Sequence, residues 1–182
     1  MSIARLPEMD LGADVATVRS AGPQGFLCDE MLRGIGRWLR VAGYDTAIAG
    51  DGMTDGDLLE LAGAEGRVVL TCDRKLARLA STGLPVVTLT SEGLDGAARE
   101  LSQRLRIDWL HAPFSRCLVD NARLEPAGAA DLARIPEQAR LGPGPIVVCP
   151  ACRRVYWPGS HVRRMRARLE RLQRAGDPTA LR

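Results

Sequence analysis

Apolar residues in the first two thirds of the chain fall in short runs that alternate with stripes at helical spacing. Phe26, Leu27 and Cys28 read as a buried strand ending at Asp29 and Glu30. A helix is expected over 31–42, with Met31, Leu32, Ile35, Trp38, Leu39 and Ala42 on one stripe. Gly43 stops it, and 44–48 reads as a second strand. Thr54 reads as the N-cap of the next helix and Asp57, three residues on, completes a capping box. Leu58, Leu59, Leu61 and Ala62 form that helix's apolar face, and Gly66 ends it. A strand over 67–72 ends at Asp73; a short helix at 75–80, a strand at 86–89 and a helix at 92–105 follow. Strands alternating with helices at these lengths imply a parallel sheet with right-handed crossovers. Chemistry in such sheets gathers at the carboxyl ends of the strands, which puts Asp29 and Asp73 on one rim.

After Asp108 the segments shorten and Pro, Gly and Cys recur. A second module is expected to begin near Pro113 and to close with a helix from Ser160 to Ala175, ended by Gly176. Val162, Met165, Leu169 and Leu172 would face inward. The organisation expected is a loose leader at 1–24, a main domain at 25–110, and a smaller module with its final helix at 111–182.

Composition narrows the options. The hydrophobic share of 46% and charged share of 26% are those of a globular chain. No stretch approaches the ~18 apolar residues of a membrane span, and no signal peptide is recognisable. Five cysteines, an odd number, with no secretion signal argue against a disulfide framework and fit a reducing cytoplasm. The net charge is only +3, but residues 150–182 hold nine arginines against Glu170 and Asp177. A basic tail beside an acidic rim suits a polyanion held by one part and cut by the other; the competing use is a solvated helix face.

Asp29, Asp55 and Asp73 follow or precede separate buried elements, with Glu30 and Asp57 beside them. Three carboxylates on one rim repel unless a divalent cation screens them, and magnesium or manganese suits oxygen donors in an open pocket. Each acid also has a structural use: Asp55 at a helix dipole, Asp57 in its capping box, Asp73 and Asp29 as caps.

The stretches FLCDEMLRGIGRWLRVAGYDT, DGDLLELAGAEGRVVLTCDRKLARL, SRCLVDN and CPACRRVYWPGSHVRRM resemble, in order, the Mut-seven carboxy-terminal RNase family. That group is PIN-like and usually carries a zinc ribbon. The resemblance runs from about Phe26 to Met165. It implies metal-dependent RNA cleavage, with the family's DxML motif on Asp29, Met31 and Leu32, its second acid on Asp55, and its LTxD motif on Leu70, Thr71 and Asp73. Glu30 is then an extra ligand candidate, Thr71 a residue to orient water or a carboxylate, and Arg74 a phosphate contact. The expected fold class is α/β: a PIN-like parallel sheet flanked by helices, then a small zinc-ribbon-like module and a C-terminal basic helix.

Cys149 and Cys152 form a knuckle able to share one tetrahedral zinc. The family pattern places the first knuckle at Cys117, but Asp120 stands where its second cysteine is expected. A site of Cys117, Asp120, Cys149 and Cys152 is one outcome; His161 or His111 as fourth ligand, an empty ribbon, and a Cys149–Cys152 redox pair are the others. Cys28 and Cys72 read as core. Arg153, Arg154, His161, Arg163, Arg164 and Arg166 are the candidate RNA contacts, with Tyr156 and Trp157 as stacking or core rings. The partners expected are RNA or a ribonucleoprotein, with no membrane, and a homo-oligomer is open. The functional reading is a metal-dependent ribonuclease. Its rivals are a non-catalytic RNA- or ribosome-binding module, a toxin-like RNase held by a partner, and a zinc-dependent adaptor.

Overall fold

The computed structural model describes residues 25–176; the expected leader at 1–24 lies outside the described residues. Strands β1 (Phe26–Cys28), β2 (Thr46–Ile48), β3 (Val68–Thr71) and β4 (Val86–Thr88) form one parallel sheet in the order β2-β1-β3-β4. The connections are α1 (Arg33–Ala42), α2 (Asp55–Glu65) and α3 (Arg74–Leu79), and α4 (Gly93–Leu105) follows β4. Alternation along each strand divides the core between the two faces. Phe26, Cys28, Val68 and Leu70 pack with Ile35 and Leu39 of α1 and Ala98 and Leu101 of α4. Leu27 and Val69 face the other way, onto Leu58 and Ala62 of α2 and Leu76 of α3. This is the expected α/β sheet flanked by helices, buried on both faces as parallel sheets are.

Most boundaries shift by a residue or two from the sequence reading, and three of the differences have a local reason. A 3-10 turn at Glu30–Leu32 precedes α1. Its tighter winding, about three residues per turn, rotates Met31 off the apolar stripe and leaves it 77% exposed. Strand β2 begins at Thr46 because Tyr44 packs its ring edge-on against Phe26 and stacks on His111. Cys72 lies past the end of β3, half-buried at a cleft wall rather than in the core.

Gly43 ends α1 with φ 103°, and a β-carbon there would meet the Ala112 carbonyl oxygen at 2.5 Å. The segment after α4 returns to this spot: the N–H groups of Ala112 and Phe114 donate to the carbonyls of Ala42 and Val41 at 2.9 and 2.8 Å. Beyond it, β5 (Glu125–Pro126), β6 (Val147–Val148) and β7 (Val155–Tyr156) form a small antiparallel sheet in that order. Two one-turn helices, α5 (Ala129–Leu132) and α6 (Glu137–Arg140), lie between β5 and β6.

Helix α7 (Ser160–Gly176) carries its apolar stripe into the main core, not away from it. Leu169 and Leu172 are buried in the same cluster as α1 and α4, and Met165 packs against it. Arg168 pairs with Asp95 of α4, and Gln173 Oε1 accepts the Trp109 backbone N–H at 2.7 Å. None of the described helices is long and apolar enough to cross a membrane. Leu169→Ala is expected to lower the stability of the whole α/β core by about 2–5 kcal/mol. Denaturant unfolding followed by far-UV circular dichroism checks this; an unchanged midpoint would show that α7 is not part of that core.

Candidate functional site

Strands β2, β1 and β3 are neighbours, so the loops leaving their carboxyl ends lie side by side. Asp29 directly follows β1, and its N–H donates to the Leu70 carbonyl at 2.9 Å. Thr71, the last residue of β3, is fully buried. Its hydroxyl donates to Asp29 Oδ2 at 2.8 Å and accepts the Asp73 N–H at 2.9 Å. Asp73 in turn caps α3, its Oδ1 accepting the Lys75 N–H at 2.6 Å. One hydroxyl thus joins the Asp29 carboxylate to the backbone of Asp73 in a single chain of hydrogen bonds, and the Asp73 carboxylate is held separately by its cap.

Asp55 does not join that chain. It occupies the first turn of α2, exposed, where the helix dipole favours an acid. The ligand atoms of Asp29, Asp55 and Asp73 do not all lie within 4.8 Å of one another. Asp57 is committed to the capping box, with its Oδ2 accepting from the Thr54 hydroxyl and N–H at 2.7 and 3.3 Å. Glu30 is exposed and 3.6 Å from Arg33, which also pairs with Asp51. Beside the rim lies a cleft of about 550 Å³ walled by Met31, Ile35, Cys72, Arg74, Thr90 and Glu92, among others. Glu100, not foreseen from sequence, shapes its far wall. Burial would raise this carboxyl's pKa, but the Thr90 and Ser91 N–H groups and Arg104 outweigh that and hold it below the ordinary value.

Among the described residues, one group of at least three acidic, Cys or His ligands gathers within 4.8 Å: Cys117, Asp120, Cys149 and Cys152. Two loops that match bond for bond supply it. Asp120 N–H meets Cys117 Sγ at 3.4 Å, as Cys152 N–H meets Cys149 Sγ at 3.5 Å. The next residues, Asn121 and Arg153, have φ of 66° and 58°. They donate to the Cys117 and Cys149 carbonyls at 2.9 and 3.0 Å. The Cys117 and Cys149 N–H groups donate to Ala122 and Arg154 at 2.8 and 2.9 Å. Asp120 therefore occupies in the first loop the place of Cys152 in the second.

The spacing suits one ion. Tetrahedral zinc-like bonds of ~2.3 Å to sulfur and ~2.0 Å to oxygen give edges of about 3.8 Å between sulfurs and about 3.5 Å from sulfur to oxygen. The corresponding separations are 3.9 Å for Cys117 and Cys152, and 3.4 and 3.3 Å from Asp120 Oδ2 to Cys117 and Cys149. Burial pushes the Cys117 thiol up, but hydrogen bonds from the Tyr156 hydroxyl and the Asp120 and Val119 backbone outweigh it, holding the thiol below its ordinary value. The Cys152 thiol is pushed up to about 12, chiefly by its hydrogen bond to Asp120. The same bond is the main reason the Asp120 carboxyl is held below the ordinary carboxylate range. His111 stacks on Tyr44 and His161 is exposed on α7, so neither belongs to the cluster.

The candidate RNA contacts divide. Arg153 pairs with the buried Asp131 at 2.6 Å. Arg154 and His161 line a second hollow, and Arg163 and Arg166 a third. Arg164 is exposed on α7.

The family model of the Mut7-C RNase domain matches residues 24–169. The chain belongs to this family. None of the curated proteins or solved structures compared with it gives a match. In this Mut7-C chain the match spans both the acidic rim and the cysteine cluster, and the two parts share a polar seam. Arg40 of α1 is buried, and desolvation lowers its pKa. Its guanidinium donates to the Thr46 carbonyl of β2 at 2.7 Å and to the Leu118 and Val119 carbonyls of the first knuckle at 3.2 and 2.5 Å. Asn121 closes the seam, its Oδ1 accepting the Thr46 N–H at 3.0 Å and its Nδ2 donating to Asp45 at 2.8 Å. Arg67 and Arg116 hold Asp45 from two sides, at 2.7 and 3.0 Å. Edge strand β2 is therefore bonded to the loop that carries Cys117 and Asp120.

That coupling predicts that stripping metal from the purified protein lowers the thermal midpoint of the entire α/β core. Asp120→Ala should weaken metal binding by more than the roughly 10–100-fold that outer-shell partners are worth, whereas Asp120→Cys should strengthen it. Elemental analysis and competition with a chromogenic chelator measure both. Metal content unchanged in Asp120→Ala would remove Asp120 from the ligand set.

Proposed function

We propose that the protein is a metal-dependent ribonuclease whose reactive groups are Asp29 and Asp73 at the sheet rim, with Asp55 as the third acid. The observation that carries this reading is the buried Thr71 hydroxyl, which donates to the Asp29 carboxylate and accepts the backbone N–H of Asp73, so that the two acids stand together at the rim. The Asp29 side chain caps no helix, and together with Asp73 it places carboxylates beside an open cleft. Membership of an RNase domain family supports the substrate class.

The donor set fits magnesium or manganese. Only carboxylate oxygens are offered, and the hydrogen bonds among described residues engage Oδ2 of Asp29 and Oδ1 of Asp73, leaving one oxygen of each to a cation. A cation held there would supply a polarising charge for phosphate and lower the pKa of water. The chain's own groups do the rest. Thr71 fixes the rotamer of Asp29, whose carboxylate accepts a proton from attacking water. Arg74 in the cleft wall balances phosphate charge. At the cysteine cluster the soft donor set of three sulfurs and one oxygen suits zinc, in a structural role.

A non-catalytic RNA-binding module is the second reading. The observation that favours it is that the three acids do not converge within 4.8 Å. Cleavage of labelled single-stranded RNA in magnesium or manganese separates the two. A metal site provides several kcal/mol of transition-state stabilisation, and ~1.4 kcal/mol corresponds to tenfold. Asp29→Asn and Asp73→Asn should therefore each lose about 1,000-fold or more in rate while RNA binding persists. Asp73→Asn should also retain the α3 cap, since Asn caps about as well as Asp, and so keep its thermal midpoint. Full activity in either variant, free of contaminating nuclease, would falsify the catalytic assignment.

A further inference from the structure

Seven described arginines, Arg33, Arg67, Arg104, Arg116, Arg134, Arg153 and Arg168, are ion-paired; Arg163 and Arg166 are among those that form no ion pair with a described carboxylate. Both line a groove of about 210 Å³ between the small antiparallel sheet and α7. Its other walls are rings and apolar side chains, among them Phe114, Tyr156, Trp157 and Val162, and no Asp or Glu lines it. On the other side of Trp157 a hollow of about 320 Å³ is lined by Arg154 and His161, again with no carboxylate. Trp157 is thus a wall shared by two cation-lined hollows.

Its position is set in advance. Gly159 donates its N–H to the Trp157 carbonyl at 2.7 Å, and a β-carbon at Gly159 would lie 2.9 Å from Trp157 Nε1, so only glycine lets the indole rest there. Phe114 adopts φ 62°, a conformation costly for a bulky residue, and Arg166 lies over its ring at 5.4 Å. Arg163 donates to the Pro158 carbonyl at 3.2 Å, so both guanidiniums are positioned but neither is neutralised by a described carboxylate. Rigid rings beside such guanidiniums form a stacking platform with phosphate clamps, the arrangement that holds single-stranded nucleic acid. A proline-rich peptide would fit the rings but leave the cations unanswered.

We propose that this groove anchors a base of single-stranded RNA against Trp157, with the flanking phosphates on Arg163 and Arg166. The proposal rests on the ribonuclease reading above and adds the form of the substrate. The groove is tied to the carboxyl end of α1 through Phe114 and Val41, whereas Leu32 and Ile35 at the amino end line the rim cleft. Ten helical residues separate the ends by ~15 Å. At ~3.4 Å per nucleotide of stacked strand, an RNA must extend roughly four or five nucleotides to occupy both.

The test uses the full chain. Fluorescence anisotropy with a labelled 12-nucleotide RNA, a trinucleotide and a duplex is measured in an Asp29→Asn background. Trp157→Ala should raise the Kd for the 12-mer at least about fivefold, the low end of one base-stacking contact. It should weaken the trinucleotide by a similar factor and leave the duplex, whose bases are not free to stack on the ring, unaffected, and Trp157→Phe should restore most of the loss. Because Trp157 also packs in the small sheet, Arg163→Gln/Arg166→Gln provides an independent arm on exposed residues. Its slope of log K against log salt should fall by about 1.4, the value for two phosphate contacts on a single strand. Unchanged 12-mer binding in both variants overturns the proposal, as does loss of binding to a proline-rich peptide without loss of RNA. Tryptophan-dependent RNA binding together with no cleavage by wild type would overturn the nuclease reading and leave the groove standing.

Discussion

Parallel strands of three or four residues, covered on both faces, leave polar chemistry only at their ends. Side chains of β1 and β3 are consumed by two core clusters, so the first positions able to carry a charge are those just past the strands. Asp29 and Asp73 occupy them. The exception proves informative: Thr71 is polar, fully buried and still inside β3, and its hydroxyl is satisfied at both donor and acceptor. A buried hydroxyl without partners would cost ~1–3 kcal/mol. Here the Asp29 carboxylate and the Asp73 backbone N–H meet that demand, so the stability of the rim and the orientation of Asp29 are the same interaction.

The cysteine cluster obeys a related rule in the second half of the chain. Two-residue strands cannot build a core of their own, and the small sheet instead organises two loops that aim four ligand atoms at one point. The bond-for-bond match of the loops explains how Asp120 substitutes for a cysteine without disturbing the backbone. The backbone N–H that meets Cys117 Sγ belongs to Asp120 itself and is indifferent to its side chain. What changes is the donor set, with one hard oxygen among three soft sulfurs. Tyr156, whose hydroxyl lies 3.1 Å from Cys117 Sγ, supports the site from outside the ligand set.

How much of this was legible in the sequence follows from the range of each interaction. The capping box of Thr54 and Asp57 spans three residues and was read directly, as was the order of strands and helices. Asp29 and Asp73 on one rim followed from topology alone. Met31 was misplaced because a 3-10 turn and an α-turn share the same apolar spacing at the first step. The destination of α7 was hidden for another reason: a stripe of Leu169 and Leu172 shows that a helix buries one face but not which core receives it. Nothing in local spacing points to Arg40 and Asn121, whose bonds join residues 75 to 79 positions apart. Asp120 was visible only as a departure from a family pattern.

Arg40 then accounts for why the two halves travel together. A buried guanidinium demands acceptors, and it finds them on β2 and on the knuckle loop at once. Removing either half strands a charge where water cannot reach it, at a cost far above that of a surface ion pair. The cysteine cluster is therefore joined to the α/β fold through the edge strand that lies next to β1, and Asp29 follows β1. Ligand loop, buried arginine, edge strand and rim acid form one line of contact. It ties a small, poorly cored module to the part of the sheet that carries Asp29.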